Sequence, residues 1–476
     1  MNSINLRPMT RRLLQVGLLS VAAAMSLAKC SCLSPTLRYQ LEFTPAERTE
    51  LAESNQPDTN KAIDGAKPQA GDTIVFGGAK GFVKTTAGVE FYDPHTRKWA
   101  AIASLPQAGV GASATELNIS PLSGQILLGE NVTGKITFPH SKLNIAVTAD
   151  HAEIFHPASA SFTSVGPFLD SRAGYTQTLL PNSKVLIAGG IDSSKVPTNK
   201  AELFDPATSK FTATGNMNSP RALHTATLLN DDTVLITGGL TDAGNNTLDT
   251  AEIYDPDTGK FTELPALIPI SGGLAGHTAT LISGCDCAID GSVLLAGGYT
   301  GFTSTPDSAN NTAILYDADT QTFVLASGQM TDFRVFHTAT ALPNGKVLIA
   351  GGVTGQALIS DGTAFGIFGG VLNTAEVFDP KSEKFTCVNG STKSGCNGSM
   401  VNSRAGHAAL LMTSGPLAGQ VLLAGGMGGK RATSRGHASA RKTAELYNPS
   451  SGANGKFSAT GSMKSARAGF AAVLLQ

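Results

Sequence analysis

Arginine, glutamate and histidine recur in this 476-residue chain in a regular order that could do chemistry. Arg172, Arg221, Arg334, Arg404 and Arg467 each open an alternating segment, and Glu90, Glu153, Glu202, Glu252, Glu376 and Glu445 each sit in a later one. Guanidinium and carboxylate groups in such numbers make either ion pairs or a ring of ligand-binding cations. The two series tend to vanish together: the unit with Leu274 in place of arginine has Ile314 in place of glutamate, although the unit with Gly109 keeps Glu153. That favours structural ion pairs, within or between units, over a ligand-binding ring. His224, His277, His337 and His407 follow three residues after the arginine position, where Tyr175, Phe470 and Ala112 stand in the other units. Four histidines suggest a metal, but alternation with aromatic and small side chains reads as hydrogen-bonded packing, and neither metal nor cofactor is expected.

Two other groups of reactive residues stand outside this pattern. Residues 427–442 contain Lys430, Arg431, Arg435, Arg441 and Lys442 with no acidic residue, which suits an anionic glycan, a lipid head group or an acidic protein segment, or else a solvated loop. Segment 353–373 carries the apolar run Ala364-Phe365-Gly366-Ile367-Phe368, able to pack on the domain or dock a partner. Cys387 and Cys396 are expected to close a local disulfide loop. Cys285 and Cys287 are harder to place, because cysteines two apart make a strained ring and no second pair completes a zinc-type set.

The elements that must position these residues are repeats. KVLIAGG at 184–190 returns as TVLITGG at 233–239, SVLLAGG at 292–298, KVLIAGG at 346–352 and QVLLAGG at 420–426, with degenerate copies at 72–78 and 125–130. Each unit reads as four strands: an alternating segment such as RALHTATLL (221–229), the apolar run ending in Gly-Gly, a segment such as AELFDP (201–206), and one with a single aromatic. The late aromatics are Trp99, Phe162, Phe211, Phe261, Phe323, Phe385 and Phe457, placed for wedge packing. Residues 467–475 match a first strand, while 72–99 supply strands two to four with none before them, so the two ends are expected to complete one blade.

An arginine and histidine opening the first strand, a glycine doublet, a Tyr-Asp-Pro turn and a late aromatic resemble the kelch repeat, over residues 72–476. The resemblance implies an all-β fold: a seven-bladed kelch-type β-propeller closed by the C-terminal strand pairing with the N-terminal blade segment. For function it implies little, because kelch propellers serve as adaptors, carbohydrate oxidases, sugar-acid isomerases and structural modules. Galactose oxidase has this propeller and holds copper with tyrosines and histidines on loops. Here five of the seven tyrosines are repeat residues, leaving Tyr39 and Tyr299, and no matching copper set is found.

The amino end has Arg7, Arg11 and Arg12, then an apolar run from Leu13 to Ala28, and reads as a signal peptide over 1–28. Leu27-Ala28-Lys29-Cys30 resembles a bacterial lipobox apart from Lys29, making Cys30 a lipidation candidate; residues 29–71 are polar and suit a flexible tether. The expected location is therefore outside the cytoplasm, lipid-anchored or secreted, with the membrane reached only through that anchor. A net charge of −1 gives no global field for nucleic acid, and no nucleic-acid partner is expected. The reading is an extracytoplasmic, non-catalytic binding or scaffold protein presenting loops to a protein or glycan partner. The alternative is a carbohydrate-active enzyme, an oxidase or isomerase, on the same scaffold.

Overall fold

The structure, a computed structural model, describes residues 67–80, 85–109, 113–129, 151–194, 196–242, 246–300, 309–354, 370–388, 396, 399–429 and 439–476. The expected signal peptide, Cys30, most of the tether, Phe365 and Phe368, and Lys430, Arg431 and Arg435 lie outside these residues.

Among the described residues, seven antiparallel four-stranded sheets account for nearly all of the secondary structure, with a single 3₁₀ turn at Gly415–Leu417. Blade 1 contains Thr73–Phe76, Gly88–Asp93 and Lys98–Ser104, and its innermost strand is Ala471–Leu474 from the far end of the sequence. Blades 2 to 7 begin at the innermost strands Ser113–Leu117, Thr176–Leu179, Thr225–Leu228, Thr278–Leu281, Thr338–Ala341 and Ala408–Leu411. These seven strands touch their neighbours in cyclic order, the last closing on the first, so the blades form a ring. Closure runs through the register Thr73↔Leu474, Ile74↔Val473, Val75↔Ala472 and Phe76↔Ala471.

Residue type explains the order of strands across a blade. Second strands such as Val185–Ala188 and Val234–Thr237 are buried on both faces, because each blade is covered by a blade on either side. Core clusters accordingly span two blades, as when Leu186 and Ala188 pack with Val234, Ile236 and Tyr254. The late aromatic of each fourth strand meets the aromatic opposite it on the third, with ring centroids 5.3 Å apart for Tyr92–Trp99 and 4.7 Å for Tyr254–Phe261. The Asp of each Asp-Pro turn accepts a backbone N–H two residues on, as Asp205 Oδ1 does from Ala207 at 2.9 Å.

The first strand starts later than the alternating pattern suggests. Arg221 precedes Thr225–Leu228 by four residues, because Leu223 takes φ +55° and breaks the extended run. The segment from Arg221 to His224 instead crosses to the Gly-Gly end of the neighbouring blade. Gly190 N–H donates to Arg221 O at 2.7 Å, and a Cβ at Gly189 would stand 2.4 Å from the same oxygen and 2.7 Å from the His224 ring. Gly189 must be glycine for contact as well as for its φ of +63°.

Candidate functional site

The arginine and glutamate series meet inside the blades, five times over. Arg221 Nη2 lies 2.9 Å from Glu252 Oε1, Arg334 Nη2 2.8 Å from Glu376, Arg404 Nε 2.7 Å from Glu445 and Arg172 Nη2 3.0 Å from Glu202; Arg467 pairs with Glu90 across the closure. All ten side chains are almost fully buried. The arginine also donates to carbonyls at the end of strand two and the start of strand three, as Arg221 Nη1 does to Gly238 O at 2.8 Å and Thr250 O at 3.0 Å. The glutamate then accepts amides of the linker arriving from the previous blade: Asn218 N–H at 2.7 Å and Ser219 N–H at 3.1 Å for Glu252. Burial holds the guanidinium pKa of Arg172, Arg221, Arg404 and Arg467 below its usual value and raises the carboxyl of Glu202. Burial and these scaffold bonds take the Arg–Glu pairs away from solvent, although Arg334 Nε and Arg467 Nε have no hydrogen-bond partner.

Blades 2 and 5 show what replaces the pair. Pro106 and Pro269 occupy the linker position of Asn218, so the amide that would seek a glutamate is missing there. In blade 5, Leu274 and Ile314 are each buried to 1% exposure, an apolar substitute for the ion pair.

The histidines join blades to one another. His224 Nε2 contacts Thr176 Oγ1 at 3.0 Å, His277 contacts Thr225 at 3.1 Å, His337 contacts Thr278 at 3.0 Å and His407 contacts Thr338 at 2.9 Å. Each threonine is the first residue of the preceding blade's innermost strand. Where that residue is Ser113, the next blade carries Tyr175, whose hydroxyl accepts from Ser113 Oγ at 3.1 Å; where it is Ala408, the next blade carries Phe470. A polar ring follows a hydroxyl and an apolar one follows alanine. The sequence contains this rule in the residue after each histidine, and it was not read there.

Burial lowers the pKa of all four histidines to about 3, so they are neutral in the folded protein and each keeps a buried, unpartnered Nδ1. The unfolded chain protonates them first, near their ordinary value of 6.5. Stability should therefore fall as pH drops from about 6.5 towards 3, by up to about 1.4 kcal/mol per pH unit per histidine. Combining Thr338→Ala with His407→Phe copies the Ala408–Phe470 match. Urea titrations at pH 7 and 5 should find this double variant less acid-sensitive than the parent and closer to it at pH 7 than either single change.

On the face of the ring that carries the arginines, residues just after the glycine doublets add an apolar collar: Leu240, Tyr299 and Val353 bridge to Ala222, Ala275 and Val335. Among the described residues, the one before each histidine position is left-handed, as glycine in Gly174, Gly276, Gly406 and Gly469, but as Leu223 at φ +55° and Phe336 at φ +54°. The Phe336 ring packs edge-on to Tyr299 at 5.7 Å. Two bulky side chains thus hold a backbone conformation that glycine adopts at the other described positions.

The cationic segment also springs from this face. Met427–Gly428 pairs with Ser439–Ala440 as a short stem. Arg441 serves the stem, donating from Nε to Ser403 O at 2.8 Å and from Nη2 to Ser403 Oγ at 3.2 Å, whereas Lys442 is exposed. On the opposite face, a cleft of about 400 Å³ at the closure is lined by Gln69, Glu116, Gln125, His156 and Gln476. Burial raises the Glu116 carboxyl there, and both its oxygens accept the Gln476 N–H at 3.1 Å.

Both cysteine pairs are disulfides, Cys387–Cys396 and, despite its small ring, Cys285–Cys287. Asp286 makes the latter feasible by adopting φ +48°. Among the described residues, Asp332, Glu376 and Cys396 come close enough to share an ion, but Glu376 is bonded to Arg334 and Cys396 is in a disulfide. Third-strand tyrosines are likewise engaged, Tyr92 with Thr460 at 2.7 Å and Tyr254 with Thr214 at 2.9 Å.

The kelch motif model matches residues 220–268, which run from Arg221 through the four strands of blade 4. No curated protein matches the chain. Among solved structures, the chain is similar to a novel fungal alcohol oxidase with catalytic diversity among the AA5 family, in complex with copper. That likeness has a TM-score of 0.53 at 18% identity, covering 76% of this chain and 69% of the other. At that identity the likeness concerns the fold. Blade 4 matches the kelch motif and the remaining sheets repeat its geometry, so the chain is a seven-bladed β-propeller with a kelch motif in blade 4.

Proposed function

We propose that this protein is a non-catalytic binding module working outside the cytoplasm, with a propeller that holds loops for an acidic protein or anionic glycan partner. The observation that carries this reading is the fate of the repeat residues: the arginines, glutamates and histidines that could do chemistry are bonded to the scaffold. Recognition then falls to loops, which vary between blades while the scaffold does not. The 427–442 segment is the strongest of these, since its stem is fixed to Ser403 and the sequence between the stem strands holds Lys430, Arg431 and Arg435 with no acid. Two disulfides and the basic-then-apolar amino end support export.

Replacing Lys430, Arg431, Arg435 and Lys442 with glutamine, and keeping Arg441 for the stem, should weaken retention on immobilised heparin and polyglutamate at low salt. The expected change is earlier elution in a salt gradient with an unaltered melting curve. Retention equal to the parent's would reject the cationic site. Copper retained through purification, with hydrogen peroxide released from simple sugars, would replace this reading with the oxidase one.

A further inference from the structure

The turn joining the first two strands of blade 5 is longer than its counterpart in blade 4 and is built around the Cys285–Cys287 disulfide. As a staple it restrains little, because a ring spanning three residues removes little freedom from the unfolded chain. It also carries a local conformational cost, since Asp286 is non-glycine at φ +48°.

The two sulfurs are in different surroundings. Cys285 is 2% exposed and sits against the turn of blade 6, where a Cβ on Gly345 would come within 2.6 Å of the Cys285 Cα. Cys287 is half-buried, with exposed residues on both sides. The carboxylate of Asp290 places Oδ1 3.3 Å from the Cys285 amide and 3.5 Å from Cys285 Sγ. A disulfide sulfur has no hydrogen to give that oxygen, whereas a thiol does. Reduction would therefore create an S–H···O bond already in position and release Asp286 from its ring.

We propose that Cys285–Cys287 is a thiol–disulfide exchange site that takes two electrons from a dithiol, with Cys287 as the sulfur attacked and Cys285 as the leaving one. A partner thiolate attacks Cys287 Sγ, forming a mixed disulfide as the Cys285–Cys287 bond breaks. Cys285 leaves as thiolate, takes a proton from water and, as a thiol, donates a hydrogen bond to Asp290 Oδ1. The partner's second thiolate then attacks its own sulfur in the mixed disulfide and releases Cys287, which is protonated in turn. The sum is protein disulfide plus dithiol giving protein dithiol plus partner disulfide.

The full chain, equilibrated with graded ratios of reduced to oxidised dithiothreitol, quenched by alkylation and mapped by mass spectrometry, tests this with Cys387–Cys396 as internal reference. Fluorescence of Trp99, the single tryptophan, checks that the propeller stays folded. Cys285–Cys287 should open at a ratio at least about tenfold lower than the reference pair. Asp290→Ala should raise that ratio by about fivefold through loss of the thiol's acceptor, and Asp286→Gly should raise it by a similar factor. Neither change should move the reference pair. Opening of both disulfides together, opening of Cys387–Cys396 first, or indifference of Cys285–Cys287 to both substitutions would each overturn the proposal.

Discussion

A chain shortened to end at Phe470 is expected to lose its sharp unfolding transition and to collect as aggregate. Ala471–Leu474 is the innermost strand of blade 1, and its removal deprives Thr73–Phe76 of a whole ladder. The strand thus laid open contains Ile74, Val75 and Phe76, all completely buried in the intact ring, and an apolar edge of this kind pairs with other chains. Blades 7 and 2 each lose their contact with that strand as well. Analytical size exclusion and urea unfolding followed by circular dichroism check the outcome. Placing residues 465–476 ahead of residue 67 should restore it, because Gly71 N–H already donates to Leu475 O at 2.8 Å and the strand leads into that turn. A shortened chain that melts as cooperatively as the parent would show that the ring does not depend on its last strand.

Glu252→Ala should destabilise the protein by about 3–5 kcal/mol, the range seen when one partner of a buried ion pair is removed. Arg221 is left charged at 0% exposure, and the amides of Asn218 and Ser219 lose their acceptor at the same time. Blade 5 suggests the rescue. Arg221→Leu with Glu252→Ile introduces the Leu274–Ile314 pair, and Asn218→Pro adds the Pro269 feature that removes one of the two orphaned amides. The triple variant should recover at least half of the loss in urea titration, since apolar replacement of a buried pair is often neutral. A triple variant weaker than Glu252→Ala would mean that the ion pair holds the linker in a way blade 5 does not reproduce.

The sequence made the scaffold legible because every blade solves the same physical problem. A strand covered on both sides must be apolar throughout, the Gly189 position must admit a neighbour's carbonyl, and a buried guanidinium must have a carboxylate; these demands repeat in phase. The Arg–Glu pairs could be read from joint absence in blade 5. What escaped was relational or local. The Thr–His contacts join adjacent blades, so each unit read alone shows only half of a contact. Cys285–Cys287 looked too tight a ring until Asp286 supplied a left-handed link, a state few residues accept. Leu223 and Phe336 were hidden because their position was read as part of a strand. Arg441 was grouped with a ligand-facing cluster, yet its donors face Ser403; charge runs do not disclose which member is a hinge pin.

The matching of each ring side chain to the first residue of the preceding blade has a consequence for how such an array can change. Repeats that arise by duplication begin as interchangeable copies, free to be lost or shuffled. Here excision of blade 6 would still leave a hydroxyl, Thr278, facing His407, whereas excision of blade 7 would set Thr338 against the phenyl ring of Phe470. Some junctions tolerate recombination and others forbid it, so the order of the sectors is itself inherited information.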